Sequence, residues 1–319
     1  MKNYKATLFL LFLSSVPASA ADLPSIKSAP LSAPIPMWTG FYAGLNSGGT
    51  WASNNNVHIT QTPAWFNPLN LSVQSASSSE AAMAAGSSIS VPMQNNANFI
   101  GGMQIGYNEK IIDRAIVGIE TDFQGVVNSG GIATTVFEPF AFSSYSQNLG
   151  TIITESIYNQ YSASKNLSYF GTVRGRFGFL ANPEVLLYLT AGLAYGGVNS
   201  GAFGAQVLLG GDTNEIGPGK NQYSGAHLGW TAGGGAEWMF MENWSAKVEY
   251  LYYSLNPVSL YMGQGLRFRT LGGNGLSAGD LAMTSIFSAR TYFSGNIVRA
   301  GVNYHFNFNA APVVAKFSS

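Results

Sequence analysis

The stretch Val298-Arg299-Ala300-Gly301-Val302-Asn303-Tyr304-His305-Phe306 decides the fold. Val298, Ala300, Val302, Tyr304 and Phe306 are apolar or aromatic, and Arg299, Gly301, Asn303 and His305 between them are polar or glycine. A period of two is strand geometry, because successive side chains point to opposite faces of a sheet. A strand of this kind, ending on aromatics in an exported chain, has the pattern of one stave of a membrane-spanning β-barrel.

The N-terminus carries the export signal. Lys2 and Lys5 precede the short apolar run ATLFLLFL at 6–13, and Ala18-Ser19-Ala20 is a small-x-small cleavage site. Residues 1–20 therefore read as a secretory signal peptide. The run is too short for a transmembrane helix, which needs about 20 apolar residues. Residues 21–37 hold Pro24, Pro30, Pro34 and Pro36 among small residues and read as a Pro-rich periplasmic lead-in.

Composition narrows the class. Charged residues make up 9% of the chain, far below the roughly 25% of ordinary globular domains, so a soluble enzyme is a poor fit. There is no cysteine, which removes disulfides and thiolate metal sites. The net charge is zero, so nothing points to a nucleic-acid partner.

Seven further segments alternate in the same way: 39–51, 98–108, 115–125, 168–179, 185–196, 225–240 and 244–253. With the opening stretch they predict eight strands, each near the 9–11 residues that a tilted strand needs to cross a bilayer, or slightly longer. The cleanest sets Val117, Ile119, Thr121 and Phe123 against Gly118, Glu120, Asp122 and Gln124. Eight charges sit within these strands: Glu120, Asp122, Arg174, Arg176, Glu237, Lys247, Glu249 and Arg299. All fall on the glycine-rich face. Facing lipid at the midplane, an Arg or Lys would cost roughly 2–4 kcal/mol. Inside a barrel, four acids and four bases can pair, which predicts a polar lumen braced by a structural ion network. A lipocalin-type soluble barrel would invert this, with an apolar interior.

The connections agree. Those at 52–97, 126–167, 197–224 and 254–297 are long, and those at 109–114, 180–184 and 241–243 are short. Outer-membrane barrels alternate long extracellular loops with short periplasmic turns. The expected architecture is thus all-β: an eight-stranded antiparallel transmembrane β-barrel over 38–308, with a periplasmic extension at 309–319. Closure leaves no unpaired backbone facing lipid. The long connections, rich in Ser, Asn, Gly and Ala, are expected to be solvent-facing loops; the first carries Trp65 and Phe66, which could pack back over the barrel mouth or mark a contact surface.

The chain resembles the small outer-membrane β-barrels of alphaproteobacteria, the outer-membrane immunogenic proteins or surface antigens, relatives in architecture of OmpA-type barrels. The resemblance rests on Ala21-Asp22-Leu23-Pro24, Trp38-Thr39-Gly40-Phe41-Tyr42-Ala43-Gly44, Phe99-Ile100-Gly101-Gly102, Gln104-Ile105-Gly106-Tyr107-Asn108, Gly171-Thr172-Val173-Arg174-Gly175-Arg176, Lys247-Val248-Glu249-Tyr250-Leu251 and the closing strand. It implies an integral protein of the Gram-negative outer membrane, structural or porin-like and sometimes surface-recognised, and no enzyme.

No catalytic motif, cofactor loop or metal-ligand spacing is found: there is no Gly-x-Ser-x-Gly, no His-Glu-x-x-His and no phosphate loop. The acidic stretch Gly210-Gly211-Asp212-Thr213-Asn214-Glu215 lacks the ligand spacing of a calcium loop. His227 and His305 fall on the inner face and read as hydrogen-bonded interior residues. Trp38, Trp51, Trp238, Trp244, Tyr107, Tyr195 and Phe306 suit an aromatic girdle at the two interfaces. The expected partners are outer-membrane lipid and the barrel assembly machinery, with Tyr304, Phe306 and Phe308 as candidate assembly signals and Phe317 also near the end; the loops name no partner. Three functions compete: a structural envelope barrel presenting surface loops, a narrow porin in which inward glycines leave room for water, and a loop-borne adhesin or receptor.

Overall fold

Three two-residue turns anchor one end of the fold: Asp113-Arg114, Pro183-Glu184 and Glu242-Asn243. Each joins strands that pair antiparallel along their length. The computed structural model describes residues 38–67, 72–74, 89–93, 97–127, 134–146, 151–209, 216–269 and 281–306. The expected signal peptide, lead-in and C-terminal extension, with Phe308 and Phe317, and the 210–215 stretch lie outside these residues.

There are twelve strands: β1 Gly40–Ala52, β2 Asn56–Asn67, β3 Ser72–Gln74, β4 Ile89–Pro92, β5 Asn98–Ile112, β6 Ala115–Val127, β7 Thr134–Ser146, β8 Thr151–Asn182, β9 Val185–Leu209, β10 Ile216–Met241, β11 Trp244–Arg269 and β12 Leu281–His305. Eight of them, β1-β5-β6-β8-β9-β10-β11-β12, form a ring that closes where β1 pairs with β12, from Tyr42↔His305 to Ala52↔Gly295. Following partners around the ring from Gly295 through Tyr253, Thr231, Gly192, Arg174, Glu120, Gly106 and Tyr42 returns to β12 at His305. That displacement of ten residues is the shear of the barrel. With eight strands it implies a tilt of about 40° and a backbone cylinder about 16 Å across, which side chains alone can fill.

The outer face is the apolar one. Leu45, Met103, Leu189, Leu193 and Val248 are exposed. Ring pairs mark both edges of this band: Phe41–Tyr107 (4.9 Å) and Trp244–Tyr304 (5.2 Å) near the short turns, and Phe123–Tyr169 (5.7 Å) and Trp230–Tyr252 (5.4 Å) at the far edge. Such girdles sit at membrane–water interfaces. Trp38 is a correction. It precedes β1 and is buried inside the ring's periplasmic end, where it packs with Ile116, Leu180, Leu186 and Met239 and its Nε1 donates to the Pro183 carbonyl (2.8 Å).

The long connections also differ from expectation, being largely strand. β2 pairs with upper β12 (Val57↔Thr291 to Phe66↔Ala282) and so continues the line of β1 after a break at Ser53–Asn55. β3 and β4 pair with β2 and continue β5; β7 pairs with upper β8 and continues β6. Twelve strands are therefore eight staves, three of them broken. Of Trp65 and Phe66 only the backbone is described, paired with Met283 and Ala282.

Above the membrane band two backbone ladders lapse, and β10 meets β11 through side chains such as Asn221 on the Tyr261 carbonyl. The β10–β11 ladder stops at Gly229↔Leu255, and β4 has no ladder to β7 among the described residues. Two sheets remain, β7-β8-β9-β10 and β11-β12-β2-β4, and their inner faces meet as a sandwich. Tyr161, Ala163, Val198 and Ala202 on one side share a core with Val57, Ile59, Val91, Val258, Leu260, Phe287 and Ala289 on the other. Ser200 and Thr291 hydroxyls bond across the gap at 2.7 Å. Lys165 also crosses it, donating from Nζ to the Asn54 carbonyl (2.6 Å) and lying over the Phe293 ring (5.2 Å). Burial without a carboxylate pulls its pKa from 10.5 down to about 8.

Two expectations follow. A Cβ on Gly102 would lie 2.7 Å from the Gln124 Cα and closer still to the Phe123 carbonyl oxygen, whereas one on Gly49 meets nothing nearer than 3.9 Å. Gly102→Val should therefore abolish the compact, heat-modifiable form on gels, and Gly49→Val should keep it. For Lys165 the unfolded chain holds more protons than the folded one between pH 8 and 10.5, so that residue's contribution to stability rises with pH across the window. The stability difference between wild type and Lys165→Met, from urea unfolding, should shift toward wild type over that range; a pH-independent difference would refute a depressed lysine.

Candidate functional site

The eight charges meet in one layer because alternation points all of them inward and register sets acid beside base. Glu120 lies directly opposite Arg174, Glu237 opposite Lys247 and Glu249 opposite Arg299. Directly opposed opposite charges stabilise a strand pair. All eight are buried.

Glu120 is the hub. Its carboxylate accepts from Arg174 Nη2 (2.5 Å), from Lys247 Nζ (2.9 Å) and from the Tyr42 hydroxyl (2.7 Å). Asp122 accepts from Arg174 (2.9 Å) and Arg299 (2.8 Å). Glu249 accepts from Arg174 Nη1 (3.0 Å), Arg299 Nε (2.7 Å) and the Tyr188 hydroxyl (3.0 Å). Glu237 takes Arg176 Nη2 (2.7 Å), the Ser245 hydroxyl (2.6 Å) and Asn303 Nδ2 (2.6 Å), with His305 Nε2 at 3.5 Å. The Arg176 guanidinium stacks on Tyr188 at 3.9 Å from the ring centre. Breaking any one pair would strand a buried charge, so the layer holds together as a unit.

Tyr42, Tyr188, Ser245, Asn303, Gln104 and Asn46 complete this layer and were not among the sequence candidates. Their signal was available, since all lie on the same inward parity as the charges. Gln104 donates to Asn303, and Asn46 to Gln104 (3.0 Å), so uncharged amides line the β1–β5 wall. His305 is buried against Ser245 (3.0 Å). His227 differs: it sits half-exposed above the layer and bonds the Asn256 carbonyl (2.9 Å).

The lumen is not polar throughout. Below the charges, Trp38, Ile116, Leu180, Leu186 and Met239 close the periplasmic end. Above them, Ile100, Phe170, Leu251, Tyr253 and Ile297 form an apolar layer continuous with the sandwich core. Nor do the inward glycines open a channel. At Gly102 and Gly233 the adjacent backbone fills the space: a Cβ on Gly233 would be 2.9 Å from the Leu251 Cα. Among the described residues no group of three or more His, Cys, Asp or Glu is arranged to hold a metal ion.

Comparison with known proteins agrees with this architecture. Residues 7–306 match the family described as outer membrane protein beta-barrel domain. The 31 kDa outer-membrane immunogenic proteins of Brucella melitensis and Brucella suis are each 32% identical over 258 residues, covering 80% of this chain and 87% of theirs. Among solved structures, Neisserial surface protein A aligns over 84% of this chain and 98% of its own at 13% identity, with a TM-score of 0.28, too low to carry an argument.

For the charged layer, Glu120→Ala should cost about 3–5 kcal/mol, as for a broken buried pair. Glu249→Leu combined with Arg299→Leu keeps the charge balanced and should destabilise less than the sum of the single variants. Urea unfolding in lipid vesicles measures both, and simple additivity would show that the charges act independently.

Proposed function

Because the chain belongs to the outer membrane protein beta-barrel domain family, we propose that it is a sealed envelope barrel that displays a rigid β-sandwich at the cell surface. It is an outer-membrane protein, and its short turns face the periplasm in this reading. The observation that carries the reading is the triple closure of the lumen: an apolar plug, an ion-paired layer and an apolar layer in succession. Water and ions need a continuous polar path, and two of these layers deny one. The role is structural and antigenic rather than catalytic. In support, the acids that could serve as a general acid–base pair are held by arginine, lysine and hydroxyl partners, and the Brucella relatives are named for immunogenicity.

The partners proposed are the lipid around the apolar band and the assembly machinery, for which Tyr304 and Phe306 offer an aromatic end. The Phe306 amide bonds the Phe41 carbonyl (2.8 Å), so this end is fixed by the closing pair of strands. Planar-bilayer recording tests the seal: purified protein should give no reproducible conductance steps, and stable steps would overturn the sealed reading in favour of a narrow porin.

A further inference from the structure

A groove of about 410 Å³ lies on the outer face of the β7–β10 sheet. Register builds its floor. Ser164, Gly201 and Gln222 are successive cross-strand partners on β8, β9 and β10, and Ser162, Phe203 and Lys220 form the adjacent row. Gln160 extends the β8 side. Gly201 makes the dip: a Cβ there would lie 2.6 Å from Ser164 Oγ and 3.4 Å from Gln222 Cγ. The neighbouring Asn221 is pinned through Nδ2 to the Tyr261 carbonyl (2.6 Å), which steadies β10 at the rim.

We propose that this groove binds a saccharide, with Phe203 as the platform for a sugar face and Lys220 reading an acidic substituent. The lining favours this class over the others. Hydroxyls and amides offer donors and acceptors side by side, as a polyol needs. The Ser162, Ser164, Gln160 and Gln222 side chains make no hydrogen bond to another described residue, so their groups are free to serve a ligand. An apolar ligand would need more than one large apolar side chain in the lining. A nucleic acid or polyphosphate would need several cations, and Lys220 is the single one here. A peptide added as a strand needs an open edge, but Gly201 is paired on both sides and β10 at the rim lies against β11 through the Asn221–Tyr261 hydrogen bond. The sugar could be a soluble glycan or the saccharide headgroup of a lipid in the outer leaflet beside the barrel.

The inference rests on the reading that places the sandwich outside the cell. An epitope tag inserted at 210–215 and stained on intact cells checks that placement separately. Binding is then measured for wild type and for Gly201→Phe and Lys220→Gln, each first shown to keep the heat-modifiable folded form. One arm uses an array of neutral and acidic soluble glycans, the other nanodiscs with or without lipopolysaccharide. The expected result is binding in at least one arm, lost at least tenfold in Gly201→Phe and weakened selectively for acidic sugars in Lys220→Gln. Binding to glycans alone identifies a soluble ligand, and binding to lipopolysaccharide discs alone a lipid-linked one. No binding in either arm, or binding equal in wild type and Gly201→Phe, overturns the proposal while leaving the sealed barrel intact.

Discussion

The pairing of β1 with β12 is the interaction on which the rest depends. Hydrocarbon offers no partner for an open backbone group, so a membrane sheet must close. Here closure occurs with a shear of ten, set by Tyr42↔His305 at one end and Ala52↔Gly295 at the other. That displacement, with eight strands, fixes the tilt and the narrow bore. The bore then decides what the interior can hold: side chains packed against one another and against backbone, with little space left over.

Within so narrow a bore, eight charges are tolerable only as a network. Three acid–base pairs come directly from register, and the hub at Glu120 joins strands far apart around the ring. Such a layer is weak evidence for high stability, since each charge lost its hydration on burial. Its physical effect is to tie the strands to one register. A slip of one residue in any of these strands would turn that strand's charges toward lipid and its lipid-facing side chains inward. The apolar layers on either side exclude water, which strengthens the pairing and closes the lumen.

Above the membrane the same eight staves serve another architecture. Bound on both sides by lipid and lumen, a stave has no freedom to leave the ring. Outside the membrane, water can satisfy backbone groups that lack a partner, and the ladders lapse at two seams. The two sheets then collapse on a shared core, with Lys165 and the Ser200–Thr291 pair spanning it. The Ser- and Gly-rich composition of 156–167 and 197–209 reads as loop because neither segment alternates strongly between apolar and polar. Small residues such as Ala163, Ala202 and Gly204 suit close packing between sheets, but that is visible only once the opposing Phe287 is in place.

The membrane strands, the inward set of charges and the long–short rhythm of connections were all legible in the sequence by itself. They follow from local rules: a period of two, the cost of charge in lipid, and the length needed to cross a bilayer. Tertiary structure alone decided that Trp38 plugs the barrel instead of girdling it, that inward glycines admit neighbouring backbone instead of water, and that the long connections are broken staves of a sandwich. Each of these depends on what lies across a strand pair or a lumen, and such neighbours are set by register and shear, which no single stretch of chain encodes.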